Sequence, residues 1–145
     1  MKELDPKAAH DLLTGPDRYV YVDVRTVEEF EAGHPAGAWN VPLALRDAAT
    51  GRMAPNPRFV AVMEANFPKD SRLLFGCKSG GRSGTACQIL AQAGYQHVAS
   101  VVGGFLGKTD PLGRVTAKGW AQCGLPVETH ATHGTDYASL SSKIK

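Results

Sequence analysis

Arg72-Leu73-Leu74-Phe75-Gly76-Cys77-Lys78-Ser79-Gly80-Gly81-Arg82-Ser83 runs from an apolar strand directly into the start of a helix. Leu73, Leu74 and Phe75 are too continuously apolar for a strand with one wet face, so the segment reads as a strand covered on both sides. The helix after it carries Ala86, Ile89, Leu90 and Ala93 on its inward face and Gln88 and Gln92 outside, and Gly94 closes it. A strand handing over to a helix through a tight loop is the building unit of an α/β domain.

The flanking sequence repeats that unit. Tyr19-Val20-Tyr21-Val22-Asp23-Val24 is a β-branched and aromatic run that predicts a second central strand. Thr26-Val27-Glu28-Glu29 is a capping box, and Gly33 stops the short helix it starts. Upstream, Asp5 before Pro6 supplies an N-cap and an N1 proline, with Ala8, Ala9, Leu12 and Leu13 at helical spacing. Downstream, Ala38 to Val41 reads as a short strand stopped by Pro42, and Asp47 to Pro55 as a loop. Asn56-Pro57 opens a helix bearing Phe59, Val62, Met63 and Phe67. His97 to Val102 is a further strand, ended by Gly103-Gly104. The alternation predicts an α/β domain with a mostly parallel sheet and helices on both faces. From Thr129 the sequence turns to Thr, Ser, Gly, Ala and Lys without periodicity, so a domain over 1–128 and a mobile tail over 129–145 are expected.

Composition narrows the function classes. With 145 residues, 43% of them hydrophobic and 21% charged, the chain fits one globular domain that buries roughly 70% of its unfolded surface without staples. Sixteen Lys and Arg oppose 14 Asp and Glu for a net +2, and the cations are scattered singly, which argues against nucleic acid as a partner. No apolar run approaches the ~18 residues of a membrane span, and acids and Pro6 interrupt any signal-like N-terminus, so a cytoplasmic protein without a membrane partner is expected. Cys77, Cys87 and Cys123 are odd in number and lack CxxC spacing, against both a disulfide framework and a zinc site. His130 and His133 share a metal-like spacing, but no Cys or acid joins them, so no metal is expected.

The chemistry concentrates at Cys77. In open α/β sheets ligands bind outside the carboxyl ends of the strands, and Cys77 stands at such an end. Gly80 and Gly81 allow backbone N–H groups to converge, a helix starts near Arg82 or Ser83, and Lys78 and Arg82 add positive charge. Together these make an anion cradle that favours a thiolate, so Cys77 is expected to be an ionised nucleophile near neutral pH. Arg82 at a helix start opposes the dipole unless it faces an anion, whereas Lys78 reads either as a binding cation or as a solvated side chain. The Ser83 hydroxyl reads as part of the cradle or as a helix cap. Asp23 and Arg25 read as a structural ion pair, His34 as a loop hydrogen bond, Cys87 as packing, Cys123 as inert, and Trp39 and Trp120 as core aromatics.

Cys77-Lys78-Ser79-Gly80-Gly81-Arg82-Ser83 resembles the active-site loop of rhodanese domains, the sulfurtransferases. Asp23-Val24-Arg25, Glu29-Phe30 and the run Gly33 to Pro42 resemble the family's first signature, and Gly94-Tyr95 through Val98 to Gly103-Gly104 its second. The likeness runs from about Leu4 to Val127. It departs from the family pattern at Pro35, at Trp39, and in an insertion, Phe105 to Lys118, that holds Lys108, Asp110 and Arg114 and separates Gly103-Gly104 from Trp120. The resemblance implies a rhodanese-like three-layer domain, its central, mostly parallel five-stranded sheet flanked by helices on both faces. It implies a double displacement in which Cys77 takes a sulfane sulfur as a persulfide and passes it on. Cys77 and Arg82 would be catalytic, with Lys78 and the amides of Ser79, Gly80, Gly81 and Ser83 binding the substrate. No cofactor is needed. The donor would be thiosulfate or a related persulfide, and the acceptor cyanide or a thiol such as glutathione or thioredoxin. Two alternatives stand beside this: a non-catalytic binding or regulatory module, and a cysteine phosphatase or arsenate reductase. Such phosphatases set five residues between Cys and Arg, where this chain has four.

Overall fold

A computed structural model describes residues 2–78, 81–130 and 134–144; Ser79 and Gly80 of the expected cradle, and His133 of the His130/His133 pair, lie outside them. Five strands, β1 (Lys2–Leu4), β2 (Val20–Asp23), β3 (Trp39–Asn40), β4 (Arg72–Gly76) and β5 (His97–Val101), form one sheet in the order β1-β5-β4-β2-β3, every pair parallel. The helices are α1 (Pro6–Thr14), α2 (Val27–Ala32), α3 (Phe59–Asn66), α4 (Gly81–Gln92) and α5 (Tyr137–Ser141). Register aligns Val22 with Phe75 and Asp23 with Gly76, so the two central strands finish side by side at the carboxyl edge.

The twofold alternation of the strands divides the core into two layers. Leu73 and Phe75 of β4 and Val22 of β2 pack with Val62 and Met63 of α3 and Leu90 of α4, and Cys77 belongs to this layer. Leu74 and Tyr21 point the other way, onto Ala9 of α1, Phe105 and Trp120. Local signals hold where the sequence states them. Asp5 accepts the Ala8 N–H at 2.8 Å, and Thr26 and Glu29 close their capping box in both directions.

Four elements differ from the sequence reading. Lys2–Leu4 adds a parallel edge strand where no alternation signals one. Met53–Pro55, expected within a loop, pairs antiparallel with Ala44–Arg46. The insertion forms a hairpin of Lys108–Thr109 with Val115–Ala117, and the chain then returns so that Trp120 donates to the Gly104 carbonyl at 2.8 Å. The expected tail carries α5, capped by Asp136, and its Leu140 is 1% exposed within the Cys77 layer. Tyr137, Leu140 and Ile144 do recur at helical spacing, but barely two turns of pattern do not stand out from a polar background. The segment is tied down by Asn40 N–H to Thr135 O (2.9 Å) and Asn66 Nδ2 to Leu140 O (2.9 Å).

Candidate active site

The last residue of β4 is a glycine, Gly76, because Tyr21 leaves no room for a side chain there: its phenol oxygen occupies the space of a Cβ. Cys77 follows at the carboxyl edge and is 1% exposed. Its Sγ receives the Ser83 N–H at 3.4 Å and lies 3.6 Å from Ser83 Oγ. Ser83 Oγ sits 2.8 Å from Ser100 Oγ on β5. A first-turn amide of α4 therefore points at the sulfur, where the amides and dipole of a helix N-terminus favour negative charge. Ser83 is a buried helical residue in contact with the thiol and is not the helix cap.

The loop is held from below by the Gly103-Gly104 turn. Phe105 N–H donates to Cys77 O at 2.7 Å and Leu106 N–H to Lys78 O at 2.9 Å. Gly104 is left-handed, φ +56°, and its Cα lies against the Cys77 carbonyl, so no side chain fits there. Gly81, read from the sequence as a glycine that lets amides converge, faces open space as the first residue of α4, and neither contact nor φ requires glycine at that position.

The cations are distributed unevenly. Lys78 is exposed. Arg25 forms a buried two-pronged pair with Asp23 (Nη2–Oδ2 2.7 Å, Nε–Oδ1 3.0 Å), donates to Gly33 O at 2.6 Å and lies 4.5 Å over the Phe105 ring. It fastens β2, α2 and the Gly104 turn to one another, as a structural pair should. Arg82 does not point into an open anion site; it grips both carboxylate oxygens of Glu29, at 2.7 and 3.1 Å. Burial opposes ionisation of Glu29, but hydrogen bonds from Arg82 and from Thr26 outweigh it and bring its pKa from the ordinary 4.5 to about 2.

That shift sets an acid limit on stability. The folded pKa lies below the unfolded one, so the stabilisation from Glu29 is complete above pH 4.5 and fades as pH falls toward about 2. Discounted for partial exposure, the loss is expected to be about 2 kcal/mol. Denaturant melts at pH 5 and pH 2.5 compare the two ends; a Glu29→Gln protein should lose clearly less over that interval, and an equal loss would contradict the assignment.

Sequence reasoning missed two contributors. Glu29 was legible as a capping residue and, by resemblance, as part of the first signature, but not as the partner of Arg82, which lies 53 positions away. Ser100 had a faint signal, as a polar residue inside the apolar strand β5. Cys87 is packed in the core, and burial pushes its thiol up to about 12. His34 Nδ1 donates to Phe30 O of α2 at 2.6 Å, and its Nε2 lies 3.3 Å from Glu128 Oε1 on the strand paired with His34–Pro35, so its hydrogen bonds tie α2 to the Val127–Glu128 strand rather than staying within the loop. An apolar cavity of ≈ 390 Å³ lies between α3, α4 and the 44–55 hairpin, walled by Leu43, Met53, Phe59, Val60 and Ile89. Among the described residues it includes none of the Cys77 loop. None of the described helices is long and apolar enough to cross a membrane.

Known proteins resemble this chain in sequence and fold. The family model described as a rhodanese-like domain matches residues 5–108. Thiosulfate sulfurtransferase 16, chloroplastic, of Arabidopsis thaliana is 40% identical over 120 residues, covering 83% of this chain and 87% of the relative. A protein named sulfurtransferase from Allochromatium vinosum is 27% identical over 127 residues, covering 88% and 94%. The crystal structure of Rv0390 from M. tuberculosis superposes with a TM-score of 0.73 at 29% identity, covering 90% of this chain and 98% of that one. Two further plant relatives match over about half of their own length.

Proposed function

This chain belongs to the rhodanese-like domain family, and from that premise we propose that it is a sulfurtransferase working through a persulfide on Cys77. The observation that carries the reading is the Cys77 sulfur at the carboxyl edge of a parallel sheet, receiving the Ser83 amide at 3.4 Å and lying 3.6 Å from the Ser83 hydroxyl oxygen. Names of relatives, thiosulfate sulfurtransferase and sulfurtransferase, support the same activity.

In the first half-reaction the Cys77 thiolate attacks the sulfane sulfur of thiosulfate or a persulfide. A Cys–S bond forms, the donor's S–S bond breaks, and its electron pair leaves on sulfite or a thiolate. The charge stays on sulfur throughout, so fixed dipoles suit the task better than a proton donor, which would quench the nucleophile. The Ser83 amide and the α4 terminus supply those dipoles, and Lys78 supplies a nearby cation at the surface; the amides of Ser79, Gly80 and Gly81 are proposed to complete the cradle. In the second half-reaction cyanide or a thiolate acceptor such as glutathione attacks the outer sulfur and restores the Cys77 thiolate. We keep the cytoplasm as its proposed setting, while the plant relative's name places that protein in the chloroplast.

Intact mass tests the proposal. Incubation with thiosulfate or glutathione persulfide should add one sulfur atom to the protein, and cyanide should remove it as thiocyanate. A folded protein that gains no mass with either donor would falsify the sulfurtransferase reading.

A further inference from the structure

The side-chain amide of Asn40, in β3, is satisfied at one end only. Its Nδ2 donates to the Asp23 and Arg25 carbonyls at 3.0 and 3.1 Å, and its backbone N–H donates to Thr135 O at 2.9 Å. Its Oδ1 is buried and accepts no hydrogen bond, the one such side-chain atom among the described residues. A buried acceptor without a donor is costly, so its surroundings matter. Asn40 is 1% exposed and forms part of the wall of a cavity of ≈ 210 Å³ between α2 and α5. Both N–H groups are spent on carbonyls of the β2 segment, which leaves the oxygen, on the other prong of the planar amide, for the cavity.

The cavity is graded from dry to wet. Phe30 joins Asn40 as buried wall, Val27, Asp136 and Tyr137 are half-buried, and Glu31 and Thr129 are exposed at the mouth. Among the described residues no Lys, Arg or His lines it. Asp136 caps α5 by accepting the Ser139 N–H and hydroxyl, whereas Glu31 enters none of the ion pairs of the described residues.

We propose that this cavity binds a small organic ammonium, a primary alkylamine, which donates to Asn40 Oδ1 and whose charge is met by the Glu31 carboxylate. The site stands apart from the sulfurtransferase reading and does not depend on it. Three features select the chemistry. Asn40 Oδ1 requires a donor, and an ammonium group carries three N–H bonds and no acceptor. Glu31 favours a cation over an alcohol or a neutral amide of the same shape. The aromatic walls Phe30 and Tyr137 suit an alkylammonium better than a hydrated metal ion, and no group of three or more His, Cys, Asp or Glu among the described residues is placed to hold a metal. The volume lies below the roughly 300–1,000 Å³ of sites for drug-sized ligands, so the ligand is a short chain.

Two probes of one shape separate charge from size: n-butylammonium and 1-butanol. Titrated into ¹⁵N-labelled protein at constant ionic strength, n-butylammonium is expected to move the Asn40 Nδ2 resonances and the backbone amides of α2 and α5 along a saturable curve with a Kd of about 1 mM. At ten times that concentration Tm should rise by about 4 °C. 1-Butanol and potassium chloride should each bind about tenfold more weakly or worse. Glu31→Gln changes an exposed side chain, leaves the fold intact and should raise the Kd for n-butylammonium about fivefold. Shifts that fail to saturate by about 20 mM, an equal response to 1-butanol, an unchanged Kd in Glu31→Gln, or saturable shifts that bypass Asn40 each overturn the proposal. A crystal structure with n-butylammonium gives the direct view. An amine nitrogen within hydrogen-bond distance of Asn40 Oδ1 supports the site, and an ordered water only at that oxygen overturns it.

Discussion

Cys77→Ser is expected to lower sulfur transfer by about 10⁴-fold or more while leaving the fold intact. The substitution is nearly isosteric, and a serine oxygen can still accept the Ser83 N–H and meet the Ser83 hydroxyl that Cys77 meets at 3.4 and 3.6 Å. Melting should therefore stay within about 1 kcal/mol of the wild type. What is lost is the chemistry, since an alcohol neither ionises near neutral pH nor holds a sulfane sulfur. Neither remaining cysteine can substitute. Cys87 is sealed in the core with its thiol pushed up to about 12, and Cys123 lies in the short turn Ala121–Cys123, outside the β4–α4 junction. Thiocyanate production from thiosulfate and cyanide, measured alongside thermal melts, checks this. Residual turnover above roughly 1% would mean that another thiol carries the sulfur.

Gly104→Ala is expected to cost about 3–5 kcal/mol and to remove most of the activity in the fraction that still folds. The position is left-handed at φ +56°, which by itself disfavours alanine by about 1 kcal/mol. The larger part is collision. A Cβ would overlap the Cys77 carbonyl oxygen and stand 2.9 Å from the Lys78 carbonyl carbon, and both are backbone atoms that no rotamer change can move aside. Relief requires the Cys77 loop and the Gly104 turn to separate, which breaks the Phe105 N–H to Cys77 O bond and carries the sulfur away from the α4 terminus. Gly81→Ala is the matched control: its Cβ meets open space and it occupies the first turn of α4, so stability should be unchanged or rise by about 0.5 kcal/mol. Thermal melts should place the two variants about 10 °C or more apart. Coincident melting curves would show that the turn does not clamp the loop.

Those two glycines illustrate what the sequence discloses and what it conceals. A glycine announces that something is unusual, but Gly81 and Gly104 look alike in the chain; only tertiary contact shows that the second is required. The same division runs through the fold. Asp5, Thr26 and Glu29 were legible as caps because each acts on amides three residues away, and the β4–Cys77–α4 junction was legible because apolar runs and a loop lie contiguous in sequence. The edge strand β1 was not, since three residues with two charges make no pattern, and α5 was not, since its five residues owe their stability to a core assembled elsewhere. In the candidate site the nucleophile was evident from its neighbours. The partner of Arg82 was hidden, because Glu29 had already been accounted for by the local work it does for α2.

The helix α5 also places a constraint on the order in which the protein comes into being. Leu140 lies in the same packed layer as Cys77, Leu73 and Phe75, yet it is made more than sixty residues after them. During synthesis the sheet can pair and α4 can form while this layer is still open on one side. The edge of that layer at α3 and β3 is covered only when residues 137–141 have left the ribosome, so on a growing chain this side of the core closes after the rest.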